Sequence, residues 1–314
     1  MTGESEERRL HMDMSSLWNL QGQLFLLLMM GLVLQKYKIL GADAKTTLTN
    51  LVIDLILPCN IINSFRMEFS MEILKAFLII LLVAVGIQIF CLFLSRILYN
   101  NKPEGRKKVL QYATVVSNAG FMGNPIAESV FGAQGLLYAS VYLLPQRIVM
   151  WSAGLACFTE SPDRKTLVKK IATHPCIVSV GIGLVLMLTQ LQLPNFLGST
   201  IKMVGSCTTP ISMILIGTIL ADVKPREMVN VEVLWFSFIR LALIPGAAYI
   251  VCRLLQIDPL ITGVSVLLAA MPGGSTTAIL ASKYQGDYVF ATKIVVCSTL
   301  LTLVSIPVWC MILA

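Results

Sequence analysis

Ser117-Asn-Ala-Gly-Phe-Met-Gly-Asn-Pro125 and Ala270-Met-Pro-Gly-Gly-Ser-Thr-Thr277 are two helix-breaking motifs, each inside an apolar segment long enough to cross a bilayer. Proline removes a backbone donor and glycine loosens the backbone, so we expect the helix to open at both places. At membrane depth an opened backbone is tolerated only where protein or a water-filled cavity satisfies it. Interruptions at matching positions in two halves of a chain point to the substrate site of a secondary transporter.

The composition is that of an integral membrane protein. The chain is 56% hydrophobic and only 13% charged, whereas a soluble protein carries about 25% charged residues. The eight cysteines are scattered through apolar runs without a CxxC pair, which favours buried free thiols. No zinc-protease, nucleotide-binding or serine-hydrolase motif occurs, so we expect no enzymatic activity, no cofactor and no metal.

The apolar segments predict membrane-spanning helices rather than strands, because they are continuous and do not alternate in polarity. A transmembrane helix needs roughly 20 mostly apolar residues. Ten segments meet this requirement: 17–35, 46–65, 72–95, 109–131, 135–158, 175–192, 197–220, 233–255, 260–282 and 289–313. The two motifs fall in spans 4 and 9.

The domain organisation follows from the longest hydrophilic connection, 159–174. It separates a first half, 17–158, from a second, 175–314, with a polar tail at 1–16. Each half holds five spans, and because five is odd the halves must have opposite orientations. We therefore predict two inverted five-helix repeats with broken helices 4 and 9.

The distribution of positive charge predicts the orientation. Most lysines and arginines lie in the loops after odd-numbered spans, and this accounts for the net charge of +7 without a nucleic acid partner. The N-terminal tail and the other loops contain Arg8, Arg9, Arg66 and Arg253. Positively charged loops stay on the cytoplasmic side, so both termini are expected to be extracytoplasmic.

The two motifs also predict an anion-binding site. Each opened helix creates a half-helix N-terminus with free N–H groups and about half a positive charge, which suits a carboxylate. Two proline kinks that are satisfied locally are the alternative. The predicted substrate-binding residues of the motifs are Asn118, Asn124, Pro125, Pro272, Gly273, Gly274, Ser275 and Thr276.

Arg147 in span 5 and Lys293 in span 10 are cations at predicted membrane depth, where charges usually face a cavity or a partner. One interpretation is that they bind the anion. The other is that they neutralise the carbonyl ends of the opened helices, or that their side chains extend to the membrane surface. Arg240 in span 8 has no counterpart among the cations of the other repeat and is the weaker candidate.

Asp54 in span 2 and Glu128 in span 4 are the candidates for a group that couples transport to an ion. Asp54 lies four residues before Pro58, and Glu128 follows Pro125 by about one turn. Either carboxylate could instead pair with Arg147, Lys293 or Arg240. The sequence leaves these two roles open.

The chain resembles the auxin efflux carrier family, in particular its short microbial members of the malate or malonate permease type. The resemblance rests on Leu57-Pro58, on the span 4 and span 9 motifs, on Lys283-Tyr-Gln-Gly-Asp287, and on Ser298 and Pro307. It implies a ten-helix fold shared with bile-acid transporters, in which helices 4 and 9 cross beside the substrate. It also implies a scaffold of spans 1, 2, 6 and 7, a moving domain of spans 3–5 and 8–10, and a homodimer.

We therefore expect a secondary transporter that moves a small organic carboxylate across the plasma membrane by alternating access of the elevator type. Its partners would be the anion, the lipid bilayer and possible coupling protons or sodium ions. One alternative is a sodium-coupled carrier of a larger amphipathic acid. Another is an anion sensor with a transporter-like core.

Overall fold

The computed structural model describes residues 14–41, 43–66, 70–154, 157–158, 169, 172–221, 230–284 and 286–313. Most of the predicted tail 1–16 and of the predicted linker 159–174 lies outside these ranges. Every regular element that is described is helical, and one isolated β-bridge joins Ser117 to Gly273.

The helices follow the predicted spans, and the fourth, seventh and ninth spans are each divided. Their bounds are α1 Met14–Lys36, α2 Ala44–Ser64, α3 Met71–Tyr99, α4 Glu104–Val115, α5 Asn124–Val149, α6 Pro175–Thr189, α7 Asn195–Gly205, α8 Thr208–Leu220, α9 Val231–Leu254, α10 Pro259–Ala269, α11 Thr276–Lys283 and α12 Tyr288–Leu313.

Five segments within the described ranges are long and apolar enough to cross a membrane: α2, α3, α9, α12 and the pair α7–α8. Shorter apolar stretches occur at Phe25–Lys36, in α6 and in α10. The prediction of an all-helical membrane protein is confirmed. The number of ten crossings stays a prediction, partly because spans 4 and 9 are each built from two short helices.

Three prolines are each preceded by a widened, π-helical turn. Val52–Ile56 precedes Pro58, Ala119–Gly123 precedes Pro125, and Ile239–Leu243 precedes Pro245. Proline has no N–H, and its ring collides with the carbonyl four residues back. A wider turn keeps the chain helical around that collision.

Gly132 marks the boundary between predicted spans 4 and 5. Although the hydrogen-bond pattern runs on through α5, Gly132 has φ 68° and ψ −162°, so the chain changes direction there. Only glycine adopts this backbone conformation readily. The first part of α5 therefore falls in predicted span 4, and the second part, which carries Arg147, falls in predicted span 5.

The helices form two sets according to their packing. The first helix set is α1, α2, α6, α7 and α8; the second helix set is α3, α4, α5, α9, α10, α11 and α12. Contacts are dense within each set, and α2 against α5 is among the fewer contacts between them. The first helix set contains the spans that the family resemblance assigns to a scaffold, and the second contains those that it assigns to a moving domain; these two roles stay predictions.

The closest pair in the first helix set is α1 with α8, and glycine permits that approach. A Cβ at Gly217 would lie 2.0 Å from the carbonyl oxygen of Leu28. Small residues let membrane helices approach to backbone contact, which strengthens dispersion forces where water provides no hydrophobic drive.

Candidate functional site

The two predicted breaks meet and satisfy each other's backbone. Val116 is extended, with φ −110° and ψ 109°, and Ser117 next to it forms the bridge with Gly273. The N–H of Asn118 donates to the carbonyl of Pro272 at 2.8 Å, and the N–H of Gly274 donates to the carbonyl of Val116 at 2.9 Å. The opened segments thus pair as a short antiparallel ladder, and this meeting point of the two motifs is here called the crossing.

Glycine leaves room where the two segments approach each other closely. A Cβ at Gly274 would lie 3.0 Å from the carbonyl oxygen of Val116, the atom that accepts the Gly274 N–H. The neighbouring Gly273 N–H donates to the Ser298 hydroxyl at 3.3 Å, which ties the crossing to α12. Pro272 and Gly274 therefore act through the backbone, as parts of the crossing itself.

Gln146 holds the other side of the ladder and is a site residue that the sequence analysis missed. The Ser117 hydroxyl donates to its Oε1 at 3.0 Å, and its Nε2 donates to the Ser117 carbonyl at 2.8 Å. Gln146 is 4% exposed. A lone amide beside an arginine in an apolar span was the signal that could have identified it.

Arg240 binds backbone carbonyls at the C-terminal ends of α4 and α10, the two helices that precede the breaks. Its Nε donates to Met271 O at 3.0 Å, just after α10, and its Nη1 donates to Thr114 O at 3.2 Å, at the end of α4. Both are partly negative helix C-termini, which a cation stabilises. The sequence analysis had considered this role for Arg147 and Lys293, whereas the structure gives it to the weaker candidate, Arg240.

Arg147 is buried beside the crossing, with 8% of its surface exposed. Within the described ranges its guanidinium forms one hydrogen bond, from Nη1 to the Met150 sulfur at 3.9 Å. A Cβ at Gly120 would lie 2.5 Å from Nη2, so the absence of a side chain at Gly120 gives the guanidinium its room. Among residues with described positions, no carboxylate lies within ion-pair distance of Arg147.

Arg147 lines a small polar cavity at the crossing, here called the crossing cavity. Its volume is about 20 Å³, room for about one water molecule. The buried Nδ2 of Asn118 has no hydrogen-bond partner in the described part of the chain. The polar side chains that line the cavity are Ser117, Asn118, Gln146, Arg147, Ser275 and Thr276.

A second cavity, of about 10 Å³, lies on the other side of Arg147, where α5 faces α2 and α6. It is lined by Asn124, Arg147, Ile61 and Cys176 among others. Asn124 is 1% exposed, and its Oδ1 finds no donor among the described residues. The two predicted asparagines thus face different cavities, and Arg147 is common to both.

The other candidates lie away from the crossing cavity. Lys293 is half-buried in the second turn of α12 and is not among the residues that line the cavity. Pro125 opens α5, after the π-helical turn. Asp54 is exposed on α2, and Glu128 accepts a hydrogen bond from Asn60 at 3.2 Å. Within the described ranges neither carboxylate forms an ion pair with Arg147 or Arg240.

Comparison with known proteins agrees with a transport function. Residues 22–310 match the family described as membrane transport protein. An uncharacterized transporter of Methanothermobacter thermautotrophicus is 26% identical over 293 residues, covering 91% of this chain and 95% of the relative. An uncharacterized transporter of Methanocaldococcus jannaschii is 24% identical over 297 residues, with 90% and 94% covered.

A third relative, from Rhizobium meliloti, bears the name "Putative malonate transporter". It is 20% identical over 274 residues, covering 84% of this chain and 85% of the relative. The family match spans nearly the whole chain, including both helix-breaking motifs. The chain therefore belongs to the membrane transport protein family, the auxin efflux carrier family, and is a membrane transporter and not an enzyme.

Proposed function

We propose that this transporter carries a small organic carboxylate, of the malonate or malate type, across the plasma membrane by alternating access. The observation that carries the proposal is the buried guanidinium of Arg147 beside the crossing, without a described carboxylate partner. A buried charge is costly unless it is paired, and a carboxylate is the partner that an arginine binds with two parallel hydrogen bonds.

The surroundings of Arg147 favour an anion over a neutral or cationic substrate. Asn118 Nδ2 is a second donor without a described partner, and the hydroxyls of Ser275 and Thr276 line the same cavity. The crossing cavity also lies at the N-terminal ends of the Ala119–Gly123 turn and of α11, where the helix dipole favours negative charge.

The crossing cavity is too small for the proposed substrate, so binding requires a change of conformation. About 20 Å³ admits a water molecule but no dicarboxylate, so the site must open before substrate enters. We propose that the second helix set moves against the first in an elevator motion and exposes the crossing to each side of the membrane in turn. Their sparser mutual contacts are compatible with such sliding.

The proposed architecture has ten spans in two inverted repeats, with both termini extracytoplasmic and two copies forming a dimer. In this scheme α4 with the first part of α5 is span 4, and α10 with α11 is span 9. The proposed substrate class agrees with the name of the Rhizobium meliloti relative.

Binding is the first test of the proposal. The purified protein is heated with mono- and dicarboxylates, at two pH values and with or without sodium. A ligand that binds the folded state at one hundred times its Kd stabilises it by about 2.7 kcal/mol. We expect malonate or malate to raise the melting temperature of the natural protein clearly more than that of Arg147→Gln. The absence of a shift with every carboxylate would contradict the proposal.

Uptake into proteoliposomes separates the remaining possibilities. Transport of the acid that stabilises the protein supports a carrier, whereas binding without uptake would favour an anion sensor. Stabilisation by larger amphipathic acids, together with uptake that requires sodium, would favour a sodium-coupled carrier of such acids.

A further inference from the structure

We propose that Glu128 is the proton-binding group that couples anion movement to a proton gradient, taking up one proton for each carboxylate carried. The inference rests on the proposed function and deepens it by naming the coupling ion and the residue that binds it.

Glu128 lies at the boundary between the two helix sets. It projects from the first part of α5, one turn after Asn124, and is half-buried. Its Oε2 accepts a hydrogen bond at 3.2 Å from Nδ2 of Asn60, a 2% exposed residue on α2. A carboxylate of the second helix set is thus held by an amide of the first.

No cation compensates the charge of Glu128 in the part of the chain that is described. The titratable groups at the start of α6 are His174 and the Cys176 thiol, and Arg147 lies further along α5 itself. The charged groups of the other helices packed against α5 are Lys45 and Asp54 on α2, Glu72, Lys75 and Arg96 on α3, and Asp258 before α10. The Cys59 thiol neighbours Asn60 in the sequence of α2. Among the described residues, Asn60 is thus the group that stabilises the ionised, half-buried carboxylate.

Sliding of the second helix set against the first would break that bond. An ionised carboxylate without its donor, away from water, is strongly disfavoured, whereas the protonated acid is disfavoured much less. By contrast, the bonds of Arg66 with Gly198 and of Tyr112 with Thr276 lie within one helix set and survive the motion. In the loaded carrier, where the anion already neutralises Arg147, movement is therefore easier when Glu128 carries a proton.

The charge balance links this proton to the anion. In the empty carrier, Arg147 and an ionised Glu128 sum to zero. In the loaded carrier, one carboxylate of the substrate neutralises Arg147, and protonation of Glu128 removes one further negative charge. The proton thus lowers by one unit the negative charge that a loaded carrier brings into the membrane interior, where charges are expensive.

One feature favours a proton over a sodium ion. Hard cations collect several oxygen ligands, whereas the contact that Asn60 makes with Glu128 is through its amide nitrogen.

The test uses the full chain in proteoliposomes with labelled malonate and the membrane potential clamped at zero. We expect an inward proton gradient to raise malonate accumulation roughly tenfold for each pH unit, the value for one coupled proton. Glu128→Gln should abolish this response and keep malonate counterflow at equal pH. Glu128→Asp, which retains an ionisable group, and Asp54→Asn, the matched control, should keep the response.

A second measurement does not depend on any variant. A pH indicator trapped inside vesicles with the natural protein should report one proton entering with each malonate. Gradient-driven accumulation in Glu128→Gln, or malonate entry without internal acidification, would overturn the role of Glu128. Dependence on sodium in place of protons would do the same. A natural protein that shows no malonate counterflow would overturn the proposed function itself.

Discussion

The two arginines and one lysine at predicted membrane depth each have a different environment. Arg240 binds two backbone carbonyls, Arg147 faces two small cavities, and Lys293 is half-buried away from the crossing cavity. Sequence spacing predicted their depth, but depth was common to all three. What distinguishes them is which atoms of distant segments lie opposite each side chain.

Arg147 and Lys293 should respond differently to the same substitution. Arg147→Gln removes charged hydrogen bonds to the anion, each of about 1.5–3 kcal/mol, and should raise the KM for malonate roughly ten- to a hundredfold. Lys293→Gln should change KM little, since Lys293 does not line the crossing cavity. Initial uptake rates at several malonate concentrations measure both. Equal effects of the two substitutions would contradict the assignment of Arg147 as the anion ligand.

At the scale of helices, proline and glycine produced two different features. Before Pro58, Pro125 and Pro245 the helix widens into a π-turn and continues, because one lost N–H can be bypassed locally. The true breaks lie at Val116–Asn118 and Ala270–Ser275, where a partner segment offers backbone hydrogen bonds. The span 4 helix therefore opens at the start of its motif, seven residues or more before Pro125.

Gly274 and Gly86 form a matched pair for testing the crossing. In Gly274→Ala the new Cβ would press on Val116 O and weaken a backbone hydrogen bond, at a cost of about 1–3 kcal/mol. We expect uptake to fall roughly tenfold while insertion into the membrane is kept. Gly86→Ala, on α3, meets no atom within 4 Å and should transport normally. Normal uptake by Gly274→Ala would argue that the crossing does not need this close approach.

At the scale of the whole molecule, loops of the same parity lie together. Arg106 after α3 forms ion pairs with Glu232 at 3.0 Å and Asp287 at 3.4 Å, at the starts of α9 and α12. These three positions follow predicted spans 3, 7 and 9. At the end of α2, Arg66 donates to Gly198 O in α7 at 3.0 Å, which joins the loops after spans 2 and 6. This grouping is compatible with the proposed arrangement of ten alternating spans.

The proposed orientation can be tested with single cysteines in a cysteine-free background. Gln192→Cys lies in the exposed segment between α6 and α7, and Lys38→Cys in the exposed segment between α1 and α2. A membrane-impermeant maleimide should label Gln192→Cys in intact cells and Lys38→Cys only after the membrane is opened. The reverse pattern would place both termini in the cytoplasm and contradict the charge argument.

The sequence by itself determined the membrane class, the places where predicted spans 4 and 9 are interrupted, and the family. These depend on local composition and on the covalent properties of proline and glycine, which need no knowledge of distant neighbours. Only the tertiary structure decided that Gln146 clamps Ser117, that Arg240 stabilises the opened carbonyl ends, and that Glu128 meets Asn60. Each pairing joins residues that are far apart in the chain, and local pattern does not encode which polar atoms face one another.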